Sequence, residues 1–123
     1  MIKLVRLDYR LLHGQVVFSW TGHVGAQRII VVDDDAANDE MKKSALLLSK
    51  PAGVRVNIFT VDKAIAKMPK VEQLDEKIMM IFGNTAALLK FCQAYPKIKE
   101  INYGAVANKP GSVAFDQSVF LTP

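Results

Sequence analysis

Short runs of aliphatic and β-branched residues alternate along this chain with segments whose apolar positions recur every three or four residues. Ile2 to Leu7 reads as a first strand, and Gln15 to about Val24 as a helix. Arg28 to Val32 (Arg-Ile-Ile-Val-Val) is a second strand, rich in β-branched residues. From Asn38 to Ser49, Met41, Ala45 and Leu48 fall at helical spacing, and Pro51-Ala52-Gly53 ends that helix. Val54 to Phe59 is strand-like, and Thr60 stands where it can cap a helix running to Met68. Lys77 to Phe82 contains the compact run Ile78-Met79-Met80-Ile81-Phe82, a buried strand. Gly83-Asn84-Thr85 opens a helix reaching Ala94, and Lys99 to Tyr103 is the next strand. The chain then reads as a loop through Asn108-Lys109-Pro110-Gly111, before an extended piece from Val113 to Leu121 that suits an edge strand or hairpin.

Strand followed by helix, repeated along the chain, is the pattern of βαβ units. The expected fold class is α/β: a single-domain open, mainly parallel β-sheet flanked by helices on both faces. With 123 residues, half of them apolar, the chain suits one core, and no linker or low-complexity tract divides residues 1–123.

Composition narrows the setting. No apolar run approaches the roughly 18 residues needed to span a bilayer. Met1-Ile2-Lys3-Leu4-Val5-Arg6 lacks the long apolar stretch of a secretory signal, so a cytoplasmic protein is expected. Cys92 is the only cysteine, which leaves no internal disulfide or cysteine metal cluster; within Ala86 to Cys92, an amphipathic run, it reads as a buried structural thiol. Sixteen basic against 12 acidic side chains give +4, a mild excess that favours an acidic partner or an anionic ligand. The lysines (Lys42, Lys43, Lys63, Lys67, Lys70, Lys97, Lys99) are scattered, with no arginine-rich arm and no interleaved aromatics. That distribution argues against nucleic acid.

In open parallel sheets, ligands bind beyond the carboxyl ends of the strands. The loop leaving the first strand, Asp8-Tyr9-Arg10-Leu11-Leu12-His13-Gly14-Gln15, packs a carboxylate, a guanidinium and an imidazole between a strand end and a helix start. A neutral imidazole is a good nucleophile near neutral pH and forms a phosphoramidate that stays reactive toward alcohols. Arg10 offers a fixed fork of donors for phosphate oxygens. Gly14 lets the backbone approach a ligand, and the first amides of the following helix, from Gln15 on, point at an anion. Two uses are open to Asp8: orienting the loop through Arg10, or holding one imidazole tautomer. By residue type alone, this is an anion-binding loop with a nucleophile.

The segment Val5-Arg6-Leu7-Asp8-Tyr9-Arg10-Leu11-Leu12-His13-Gly14-Gln15-Val16 resembles the N-terminal segment of IIB subunits of the bacterial phosphoenolpyruvate:sugar phosphotransferase system, mannose/fructose/sorbose branch. Arg28 to Asp34, Asn38-Asp39-Glu40, Pro51 to Val54 and Ile101 to Gly104 look like the same family, so the likeness runs along nearly the whole chain in order. The resemblance implies that His13 is the catalytic group, taking a phosphoryl group from phosphorylated IIA protein through Nδ1 and giving it to a sugar. Arg10 would contact the phosphate, with Gly14 and Gln15 beside it and Asp8 in support. Membrane IIC and IID subunits would bring and largely choose the sugar, with this protein peripheral to them. No metal and no other cofactor is implied, and no nucleotide-binding glycine motif is present. The family usually continues past this point with at least another helix and strand, so the chain reads either as truncated or as a natural short form. Association with further copies stays open.

Other groups carry weaker readings. His23 is a surface or helix-end residue, and Phe18 and Trp20 are core or partner-contact residues. Asp33-Asp34-Asp35 follows the second strand, and these carboxylates are expected to cap the next helix and contact arginines such as Arg28. The alternative function rests on them: a receiver-like or ligand-sensing, partner-binding module using that acidic cluster. Gly83-Asn84-Thr85 either borders the phosphate or is a plain helix cap.

Overall fold

The computed structural model describes residues 2–9, 11–12, 15–96, 98, 100–103 and 118–120. Its elements run β1 (Ile2–Leu7), α1 (Gln15–Val24), β2 (Arg28–Val32), α2 (Asp34–Ala37), α3 (Glu40–Leu48), β3 (Arg55–Phe59), α4 (Val61–Val71), β4 (Ile78–Phe82), α5 (Thr85–Ala94), β5 (Glu100–Tyr103) and β6 (Ser118–Phe120). The strands form one sheet in the order β3-β2-β4-β1-β5-β6. Neighbours among β1 to β5 pair in parallel, and β6 joins β5 antiparallel at the edge.

That order follows from two runs of crossovers. From β1 the chain moves outward to β2 and then β3; from β3 it returns to β4 and continues past β1 to β5. Right-handed crossovers moving in opposite directions put their helices on opposite faces. The two cores bear this out, because each strand alternates its side chains between them. Val5, Leu7, Ile30, Val32, Ile78, Met80 and Phe82 pack with Val61, Ala64, Met68 and Val71 of α4 and with Ala87, Leu88 and Phe91 of α5. Ile29, Val31, Met79 and Ile81 pack on the other side with Ala36 of α2, Leu46 of α3, and Trp20 and Val24 of α1. Central β4 is buried along its whole length, as a strand covered on both faces must be.

Some boundaries differ from expectation. α2 is an additional single turn, separated from α3 by Asp39. This residue caps α3 by accepting from the Met41 and Lys42 amides, so the helix expected from Asn38 onward starts at Glu40. α4 runs three residues beyond Met68, through Pro69, because Val71 is buried against the core and the break comes one turn later. Of the extended piece expected at Val113 to Leu121, residues 118–120 are described and form edge strand β6.

Candidate functional site

β1 and β4 are neighbours whose onward connections leave in opposite directions, toward β2 and toward β5. The carboxyl ends of these two strands therefore flank the topological switch point, where an open α/β sheet leaves a crevice for a ligand. The chain leaving β1 is pinned there. Asp8 extends the ladder, donating its N–H to the Phe82 carbonyl at 2.9 Å, and its own carbonyl accepts from the Leu11 N–H at 3.1 Å, closing a tight turn. Leu11 takes φ 54°, a left-handed conformation that costs a non-glycine residue on the order of 1 kcal/mol. Burial of Leu11 and Leu12 in the core beneath α1 to α3 offsets that cost, while Tyr9 at the tip is 54% exposed.

Beneath the turn lies a charged pair. Arg6 shares the α1-facing side of β1 with Leu4; its guanidinium is 3.3 Å from the Asp8 carboxylate and 5.9 Å from the Trp20 ring centroid. Arg6 is 3% exposed and Asp8 fully buried. Asp8 thus has a partner, Arg6, that the sequence reading did not assign. The signal was present: an arginine at a position whose alternation faces the core.

The exits of β2 and β4 meet this turn. Asp33 caps α2 by accepting the Ala36 N–H at 2.9 Å, and its other carboxylate oxygen lies directly over Gly83. A Cβ on Gly83 would overlap that oxygen, stand 2.9 Å from Asp33 Cγ and lie 3.3 Å from Leu11 Cδ2. Glycine is required here for close approach, and it lets the three strand exits touch. Asn84 caps α5 through the Ala87 N–H at 2.8 Å, the plain cap reading of that motif. A concavity of about 450 Å³ opens beside the turn, lined among others by Tyr9, Leu11, Asp33, Asp35 and Lys42.

The acidic cluster does not converge. Asp33 caps α2, Asp34 accepts the Val61 N–H at 2.8 Å, and Asp35 pairs with Lys42, raising the lysine's pKa first through that hydrogen bond. Among the described residues no group of three or more His, Cys, Asp or Glu is placed to hold a metal ion. Arg28 does not meet these aspartates: it bonds Glu76 at 2.8 Å and Asn57. It sits at the opposite end of β2, and a five-residue strand spans about 16 Å. His23 is exposed, edge-on to Trp20 at 5.5 Å. Trp20 is half-buried against the core. Cys92 is half-buried rather than buried, and burial pushes its thiol pKa up. Arg10, His13 and Gly14, and the side chains of Gln15 and Phe18, lie outside the described residues. Among the described residues no helix is long and apolar enough to cross a membrane.

A doubly wound, mainly parallel sheet with a pinned turn at its switch point defines an α/β protein with a crevice where its first strand ends. Comparison with known proteins narrows that class. The family model for the PTS system sorbose subfamily IIB component matches residues 2–122, and the chain belongs to this family. It is 35% identical to the sorbose-specific EIIB component of Klebsiella pneumoniae over 99% of this chain and 74% of the relative. It is 33% identical to the mannose-specific EIIAB component of Escherichia coli K12, over 97% of this chain and 37% of that longer protein. Among solved structures, the IIBSor domain of the K. pneumoniae sorbose permease superposes with a TM-score of 0.82 at 35% identity, covering 100% of this chain and 76% of that one. The manxB structure from Thermoanaerobacter tengcongensis gives 0.83 at 32%, covering 99% and 74%.

Proposed function

We propose that the chain is a phosphocarrier: His13 accepts a phosphoryl group from phosphorylated IIA protein and passes it to a sugar. The observation that carries this reading is that the chain leaves β1 at the switch-point rim through Asp8, in a chain of the IIB family. The His13 Nδ1 lone pair attacks phosphorus as the donor's P–N bond breaks. In the second step a sugar hydroxyl oxygen attacks, the His13 P–N bond breaks, the hydroxyl proton leaves to water or a nearby base, and neutral imidazole is restored. Transfer through a loose transition state asks mainly for placement and charge stabilisation. Arg10 supplies a fork for the phosphoryl oxygens, and Gly14, Gln15 and the first turn of α1 supply backbone donors. Asp8 supports the loop from below. No metal or cofactor takes part.

In this reading residues 1–123 act as one domain in the cytoplasm. They shuttle between IIA and the membrane IIC and IID subunits, where the sugar is taken up. Incubation with phosphorylated IIA is expected to give a protein-bound phosphate that is lost in acid and kept in base. His13→Ala should take up none. A stable adduct on that variant would remove the imidazole from the mechanism.

A further inference from the structure

We infer that Arg6 is a positioning residue for phosphoryl transfer, acting through Asp8 on the turn that leads to His13; the inference rests on the phosphocarrier reading. Four observations support it. First, Arg6 is 3% exposed in a position where its strand neighbours Val5 and Leu7 are core residues and Leu4, two residues earlier on the same face, packs against the apolar core. Taking a guanidinium out of water costs several kcal/mol, and replacing a whole buried ion pair by apolar side chains of similar volume commonly leaves a fold as stable or more stable. Core packing alone gives no reason for an arginine there.

Second, the guanidinium is held from two sides. Trp20 of α1 faces it at 5.9 Å, within the range of a cation–π contact, and Asp8 accepts from Nη2 at 3.3 Å. Arg6 therefore bridges α1 and the end of β1, the two elements joined by the reactive loop. Third, its partner is the hinge of that loop. Asp8 is fully buried, its N–H is committed to Phe82 and its carbonyl to Leu11, so a rotation of its backbone would open the turn. Fourth, the turn carries strain at Leu11, φ 54°, and such a conformation persists only where its surroundings over-determine it. Beside the burial of Leu11 and Leu12, a fixed ion pair below the turn adds to that constraint. An error of about 1 Å in the seat of a reacting group costs on the order of a hundredfold in rate, so a device that holds the turn acts on reactivity without touching phosphate.

The test uses full-length protein, phosphorylated IIA protein and the variants Arg6→Met, Arg6→Lys, Asp8→Asn and Arg6→Met/Asp8→Asn. Arg6→Met leaves the buried Asp8 carboxylate without its Arg6 partner and is expected to lower the melting temperature, whereas Arg6→Met/Asp8→Asn removes both charges and is expected to keep it within a few degrees of wild type. The Arg6→Met rate of His13 phosphorylation at saturating donor should fall roughly ten- to a hundredfold, with the half-saturating donor concentration unchanged. Arg6→Lys should recover part of the rate. The double variant should be no slower than the slower single variant, because both changes break one pair. If Arg6→Met does not fold, Arg6→Lys and Asp8→Asn carry the same comparison of rate against melting temperature. Phosphorylation of Arg6→Met at the wild-type rate would overturn the inference, as would losses in the two single variants that multiply. A rate loss that only tracks falling melting temperature would reduce Arg6 to a structural role. Wild-type protein that takes up no phosphate would instead overturn the phosphocarrier reading itself.

Discussion

Gly83 and Asp33 show how much of this rim is set by single atoms. Asp33 serves two neighbours at once, capping α2 with one carboxylate oxygen and lying over the Gly83 backbone with the other. A methyl group at Gly83 would force the carboxylate to rotate away and give up the cap, or push the exits of β2 and β4 apart. Gly83→Ala is therefore expected to destabilise the protein by about 1–3 kcal/mol, read as a lower urea midpoint at unchanged slope. An unchanged midpoint would mean the rim yields freely. The glycine was legible in the sequence as part of a cap motif, but its contact with Asp33 was not: the two lie fifty positions apart. Arg6 is the same case. Its place on the core-facing side of β1 could be read from alternation, whereas its partners on α1 and at Asp8 depend on how the helix folds back.

At the scale of elements, a cap is a local bargain between one side chain and the next few amides, which made the Thr60 cap readable while the Asp39 cap went unread. Asp39, Thr60 and Asn84 each accept from backbone N–H groups two or three residues ahead. Thr60 is the cleanest test, with its hydroxyl 3.1 Å from the Lys63 N–H. Thr60→Ala should cost about 1 kcal/mol, measured by thermal or urea unfolding, while Thr60→Ser should cost less. Equal stability of Thr60→Ala and wild type would show that water replaces the hydroxyl without loss. Helix ends were less legible. Pro69 signals a stop, yet α4 continues to Val71, since buried apolar surface on the last turn outweighs the missing amide. α2 is one turn long and carries no periodicity of its own, so its existence depends on the Asp33 cap and on Ala36 in the core.

Across the whole molecule, the far end of the sheet from the crevice is tied by Tyr95, which follows α5 and donates its hydroxyl to Glu72 at the end of α4. Its ring packs at a tilt against Phe91, which packs likewise against Phe82 of central β4. Burial first, and then the Glu72 carboxylate, raise the Tyr95 phenol from 10.0 to about 12. A folded-state pKa above the unfolded value means the folded chain holds this proton more tightly. The stabilisation is complete below pH 10 and drains away as pH rises toward about 12. Tyr95→Phe should accordingly lose less stability than wild type over that interval, as followed by urea unfolding at stepped pH. Parallel pH profiles for the two proteins would show that the phenol has no part in alkaline unfolding.

What the sequence determined by itself was what local chemistry governs: the alternation of strand and helix, caps such as Thr60, the α/β class, and the choice of the Asp8 to Gln15 segment as the candidate site. Periodicity and capping act over a few residues, and a chain carries them wherever it goes. Tertiary structure alone decided the order β3-β2-β4-β1-β5-β6, and with it the crevice between β1 and β4. It also decided that Asp33 and Gly83 should meet, and that Arg6 should lie buried between Trp20 and Asp8. The physical reason is that strand order and buried pairing depend on which apolar faces close over one another, a choice made by the whole chain at once.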